Sequence, residues 1–170
     1  MTSRALCPIE GVTREDTPAA LIVQPGQATT ASLTDGAIEL LTDKGAVSAG
    51  RLTLATGADG APPHHHKLSH EAFYVLDGTM VFRLGDTLTT VEEGGLVVIP
   101  AGLAHAFGAA EGEVADVLFL LSPGIERFEF FEQPAAICRG DGEFTSLLPV
   151  QDRFDVHLED IPDWRSAPRR

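Results

Sequence analysis

At 170 residues, with 44% hydrophobic and 22% charged side chains, the chain is long enough to bury a sizeable core as one globular domain. Its formal net charge of −13 argues against nucleic acid as a partner, because phosphates would be repelled. No run of about 18 apolar residues suits a membrane span, and the N-terminus lacks the apolar stretch of a signal peptide, so a cytoplasmic address is the expectation.

In chain order, the first 18 or so residues read as loosely held. Cys7 and the distant Cys138 stand in no metal-binding or redox spacing and read as reduced, structurally incidental thiols. From Leu21 onward the segments "LIVQ", "AIELL", "RLTLATG", "EAFYVL", "TMVFRL", "TLTTVE", "GLVVIP", "AHAFG" and "VADVLFLL" read as short strands. Their closeness and the Gly and Asp chemistry between them predict antiparallel hairpins, with no βαβ units. Asp77-Gly78 in "LDGT" is expected to be a two-residue hairpin turn, and "LGDT" and "EEGG" further turns. Many short strands with regular punctuation predict an all-β sandwich, jelly roll or small barrel. After "LLSPG" the spacing of Ile125, Phe128 and Phe131 becomes helical, and "FTSLLPVQDRF" offers one more helix, interrupted by Pro149. The basic tip "RSAPRR" reads as a frayed, solvated end. These features predict a single domain over 1–170, with N-terminal strands at 20–49, a motif-bearing core at about 50–122 and an extension over 123–170.

The chemistry concentrates in "APPHHHKLSHEAFYVLDG". Strand alternation puts His64 and His66 on one face and His65 on the other. If "KLSH" is a turn and Glu71 opens the next strand, both segments can aim ligands into one interior. His105, between the apolar Ala104 and Ala106, needs a partner for its polar nitrogens if buried. A lone His105 reads as a hydrogen-bonded core residue, and a lone His triplet as a surface loop. Together with the carboxylate they point to a metal site formed by His64, His66, Glu71 and His105. His65 and His70 are expected to be exposed or to support the site from outside, and His157 to be solvated. No zinc-protease helix, G-x-S-x-G elbow or phosphate loop is present.

These residues resemble the cupins. The first cupin motif, G-x5-H-x-H-x4-E-x6-G, is matched by His64-x-His66-x4-Glu71-x6-Gly78, with Ala58 where the leading glycine is usual. The second, G-x5-P-x-G-x2-H-x3-N, is matched by Gly94-x5-Pro100-x-Gly102-x2-His105, with Ala109 in place of the asparagine. The resemblance spans about Gly50 to Ser122. It implies a double-stranded β-helix, or jelly roll, holding one divalent transition metal ion (Fe, Mn, Ni, Cu or Zn) inside one end. "EAFYVLDG", "PAGLAHAF" and "SPGIERFEFFEQ" are similar to single-domain cupins related to quercetin dioxygenase. That similarity implies an oxidoreductase, a metal-dependent dioxygenase with dioxygen as a partner and Glu71 as both ligand and base. Apolar surroundings would raise the proton affinity of Glu71, and the cation would oppose this.

By alternation, Phe73, Val75, Met80, Phe82, Leu84, Val98 and Phe107 are candidates for the interior, and of these Phe73, Val75, Met80, Phe82 and Phe107 are the candidate substrate contacts. From Gly50 to Ser122 the cationic side chains are Arg51, Lys67 and Arg83. Such scarcity predicts a small, uncharged, largely apolar substrate with oxygen atoms that reach the metal, and the resemblance to quercetin dioxygenase-like cupins implies a phenolic or enol-like compound. The alternatives are a non-redox metal-dependent isomerase or cyclase, and a small-molecule-binding cupin without catalysis. Cupins commonly pair through outer sheet faces, so the resemblance, with Tyr74 and Leu76 as outward-facing apolar candidates, implies a homodimer.

Overall fold

The computed structural model describes residues 20–43, 45–131 and 148–166. Cys7, Cys138 and the loosely held N-terminal stretch of the sequence reading lie outside them.

Among the described residues, ten antiparallel strands form a curled sheet: β1 (Thr29–Leu33), β2 (Gly36–Thr42), β3 (Ser48–Leu54), β4 (Asp59–His65), β5 (His70–Leu84), β6 (Thr87–Glu92), β7 (Leu96–Ile99), β8 (His105–Ala109), β9 (Ala115–Ser122) and β10 (His157–Leu158). The strand order is β1-β2-β3-β9-β5-β8-β4-β10, with β6 and β7 also paired to β5. This is an all-β jelly roll, one of the architectures that the strand pattern predicts and the one that the resemblance implies. Alternation is cleanest on β3 and β9, where every second side chain is buried. That is the signature of a sheet with one face on a core and the other on solvent.

β5 organises the molecule. It is 15 residues long and serves both walls. Its first half pairs with β7 and β9, and its second half with β6 and β8. "EAFYVL" and "TMVFRL" are therefore one strand, and the expected Asp77-Gly78 hairpin is corrected to a corner without chain reversal. The pairing with β9 slips between Val75 and Asp77, and Gly78 adopts φ +75°. Gly78 also lies against the Val114 carbonyl, which an added Cβ would meet at 2.1 Å. A bulge with a left-handed glycine bends a strand as readily as a turn reverses it, and both use the same residue types.

The core lies between the two walls. Phe73, Val75, Met80 and Phe82 are wholly buried, and the Phe73 ring lies 5.3 Å from Phe82 and 4.6 Å from Phe107, centroid to centroid. Leu84 is partly buried against this core. Val98 faces out instead: Val97 and Ile99 are the buried residues of β7, and Val98 is 61% exposed. The register that pairs Ala72 with Val98 fixes that phase.

The ends depart most from the sequence reading. "LIVQ" forms no strand, and Leu21 and Ile22 are exposed. Among the described residues no strand pairs with them, and the first hairpin is β1–β2. After β9, residues 128–131 are helical, so Phe128 and Phe131 pack on the core while Ile125 precedes the helix. Within the second expected helix, 144–147 lie outside the described residues, a tight turn occupies 148–150, and Gln151–Phe154 is a short α-helix. Phe154 and Val156 form a second small cluster with Phe130. Arg165, expected in a frayed tip, is instead anchored. Its guanidinium donates to Asp59 Oδ1 at 2.7 Å and to the carbonyls of Ala109, Ala58 and Gly57. No helix among the described residues is long and apolar enough to cross a membrane.

Candidate metal centre

His64 and His105 are register partners across the β4–β8 ladder, so their side chains leave the sheet side by side, with ring centroids 4.3 Å apart. His66 follows two residues after His64 on the same face, its ring centroid 5.0 Å away. Glu71 comes from the start of β5, which pairs there with β7 and β9 and so reaches the cluster from the facing wall. The four side chains are buried, and one ligand atom from each lies within 4.8 Å of the others. The structure thus brings together the four residues that the spacing singles out.

Backbone carbonyls set the chemistry of the imidazoles. His64 Nδ1 lies 2.8 Å from the Pro62 carbonyl, His105 Nδ1 lies 2.8 Å from that of Leu103, and His66 Nδ1 contacts that of Asp155. A carbonyl only accepts, so each Nδ1 must carry a proton and donate it. In the neutral ring Nε2 then bears the lone pair, and the three Nε2 atoms are the ones free to converge. Such carbonyl contacts fix the tautomer and orientation of metal-binding histidines.

Around Glu71, Oε2 lies 2.9 Å from His105 Nε2 and 3.3 Å from His66 Nε2. A carboxylate and a lone pair repel, so a cation or a proton must sit between them. In the metal-free protein the proton plays that part. Burial pushes His105 down, but the hydrogen bond and charge of Glu71 outweigh it and leave His105 above the ordinary histidine range. Burial pushes Glu71 up, but hydrogen bonds and charge from His105 and His66 leave it below the ordinary carboxylate range. Desolvation thus acts on Glu71 in the expected direction, and the neighbouring histidines outweigh it. His64 is lowered well below the usual range by burial and then by its two histidine neighbours. Three neutral imidazoles and a carboxylate form a donor set suited to a divalent transition ion with one or two positions open on it, and this cluster could hold one.

The cluster opens on a cavity of about 120 Å³ whose lining includes His64, His66, Glu71 and Phe107 beside apolar side chains such as Ile38, Leu52, Phe119 and Leu121. Of the other candidate contacts, Phe73, Val75, Met80 and Phe82 stand in the core and are not part of this lining.

The remaining histidines and the C-terminal segment support the site from behind. His65 contacts Glu159 Oε1 through Nδ1 at 2.6 Å and stacks on His157 with centroids 5.0 Å apart. His157 is buried on β10, which pairs with β4, so its expected solvation is corrected. His70 is exposed. Asp155, 1% exposed, accepts from the backbone N–H groups of Lys67, Leu68 and Ser69, which form the turn between His66 and Glu71. Arg127, equally buried, donates to the Phe154 carbonyl, Ser69 Oγ and Asp155 Oδ2. Sequence reasoning missed Asp155 and Arg127. The one available signal was an arginine and an aspartate each embedded among aromatic residues, in "ERFEFF" and "RFDVH".

Comparison with curated proteins found no match. Among solved structures, an RmlC-like cupin from Shewanella frigidimarina aligns over 66% of this chain and 96% of its own, with 16% identity and a TM-score of 0.57. A Bacillus subtilis oxalate decarboxylase variant aligns over 65% of this chain and 31% of its own, with 22% identity and a TM-score of 0.55. The Streptomyces nucleoside dehydratase Pac13 aligns over 65% and 87%, with 12% identity and a TM-score of 0.52. At these identities the likeness is one of fold. Residues 50–121 match the family model described as Cupin domain, and the fold of the chain agrees with that match.

Proposed function

We propose that the protein is a metal-dependent oxygenase acting on a small, largely apolar phenolic or enol-like compound. The observation that carries this reading is a buried cluster of three histidines and one glutamate opening on an otherwise largely apolar cavity. His64, His66, Glu71 and His105 would hold the ion. When bound, the ion would supply a Lewis-acid and redox centre for substrate oxygen and dioxygen. Glu71 is kept ionised by its histidine neighbours, which suits it to hold a cation but weakens it as a base, so for it to take the proton of a substrate hydroxyl a bound ion would have to acidify that hydroxyl. Phe107 and the aliphatic wall give the cavity an apolar lining, and the core phenylalanines behind Phe107 hold its ring in place.

The test is oxygen uptake by protein reconstituted with each candidate metal, against flavonols and enediols. Uptake that tracks substrate consumption is the expected result. No uptake with any substrate, with metal demonstrably bound, refutes the oxygenase reading. Anaerobic turnover would point to an isomerase or cyclase, and a raised Tm without product to a binding protein.

We also infer a homodimer. Tyr74, Leu76, Leu96 and Val98 are exposed on the outer face of β5 and β7, where Tyr74 pairs with Leu96. A second copy would cover this apolar face.

A further inference from the structure

Among the described residues, Arg127 Nη1 is one of two buried side-chain nitrogen or oxygen atoms without a hydrogen-bond partner. The rest of its guanidinium is held firmly. Nε donates to the Phe154 carbonyl at 2.7 Å, and Nη2 donates to Ser69 Oγ at 2.9 Å and to Asp155 Oδ2 at 3.3 Å. Asp155 already accepts three backbone N–H groups, so its charge is shared. Arg127 also belongs to the wall of the cavity that holds His64, His66 and Glu71, a wall otherwise mostly apolar. A buried guanidinium hydrogen left unpaired is costly, and a carboxylate is the partner that matches it best. Arg127 follows the last strand of the motif-bearing core, so the scarcity of cations between Gly50 and Ser122 did not disclose it.

We propose that Arg127 determines substrate specificity by binding a carboxylate of the substrate through Nη1, so that the substrate is a small monoacid with an apolar body. This rests on the cavity being the substrate site, as in the function proposed above. The acid group sits at Arg127, the apolar body lies along Phe119 and Leu121, and the oxygen-bearing reactive end meets the histidine cluster. Nη1 is itself buried, so binding a carboxylate requires a small shift of the cavity wall that uncovers this edge of the guanidinium while Phe154, Ser69 and Asp155 hold Nε and Nη2.

The experiment uses full-length protein freed of metal by chelation, so that no ion can take the carboxylate. Benzoate and isobutyrate are titrated calorimetrically beside their uncharged analogues benzamide and isobutyramide. Wild-type protein is expected to bind at least one acid ten-fold or more tightly than its amide. Arg127→Met should abolish that preference, and Arg127→Lys should keep a reduced one. Equal binding of acid and amide, no binding of either acid, or a preference that survives Arg127→Met overturns the proposal. If Arg127→Met does not fold, the wild-type acid-to-amide ratio and the Arg127→Lys variant decide. Metal content of wild-type protein is measured separately. Its absence would sink the metal-centre reading and leave the acid preference standing or falling on its own.

Discussion

Asp155→Asn removes one charge at a single buried position and nothing else of size. The residue sits at φ +52°, a conformation asparagine tolerates about as well as aspartate, so backbone strain is unchanged. In the wild type, Oδ1 accepts from Lys67 N at 2.7 Å and Leu68 N at 3.1 Å. Oδ2 accepts from Ser69 N at 3.0 Å and Arg127 Nη2 at 3.3 Å. An amide keeps one oxygen. If it serves Lys67 and Leu68, the new NH2 group faces two donors at Ser69 and Arg127; if it flips, it faces Lys67 instead. Either way, buried donors lose their acceptor and the Arg127 charge loses its counter-ion. Breaking a buried charge pair costs about 3–5 kcal/mol, which for a chain of this length is a fall in Tm of roughly 6–20 °C. The same bonds shape the turn between His66 and Glu71, so metal affinity should fall about 10–100-fold, as for other groups that position ligands. Thermal melts and metal titrations of the variant check both numbers. Asp152→Ala is the control: its carboxylate pairs with Lys67 in solvent, at 89% side-chain exposure, and its loss should leave the melting curve in place. An Asp155→Asn protein that melts with the wild type and binds metal equally well would refute the claim that this residue organises the site.

pH separates the metal-free from the metal-loaded protein. The raised His105 contributes stability that is fully present below the ordinary histidine range, about 6.5, and is lost as pH climbs through its folded value. The depressed Glu71 and Asp155 contribute stability present above about 4 and lost as pH falls through their folded values. In chelator, Tm should therefore decline as pH rises from 6.5 toward 9, whereas metal-loaded protein should show no such decline, because metal replaces the proton between His105 and Glu71. Metal affinity should weaken as pH drops through the His105 transition and on toward 5; a binding constant flat from pH 7.5 to 5 would contradict histidine ligation. Gly78→Ala should destabilise by more than about 2 kcal/mol in urea unfolding, since it combines a left-handed backbone with a Cβ pressed on the Val114 carbonyl; a neutral result would mean that β5 need not bend there. Light scattering should give twice the chain mass, and Val98→Glu should shift it to the monomer.

The four clustered residues were legible because period-2 geometry is local: His64 and His66 had to share a face, and a turn through "KLSH" was enough to bring Glu71 round. The placement of His105 followed from its apolar neighbours, and the register of β4 against β8 supplies the physical reason. The Asp77-Gly78 corner was not legible, because a left-handed glycine serves a bulge and a hairpin alike. Val98 was assigned the wrong phase because "LVVI" is apolar on both faces and alternation has nothing to read there. Asp155 and Arg127 escaped for a different reason. Their partners lie 27 to 88 residues away in sequence, and no periodicity encodes a single hydrogen bond across that distance. The clustered side chains could be read from local pattern; what holds them in place depends on long-range closure of the C-terminal segment over β4.

Elemental analysis of protein purified without an affinity tag, in parallel with His64→Ala and His105→Ala, tests the metal centre most directly. The arrangement predicts close to one equivalent of a transition metal per wild-type chain and a large loss in each variant, with both variants still folded by circular dichroism. Wild-type protein that carries no metal and takes up none on reconstitution, or variants that retain a full equivalent, would contradict it.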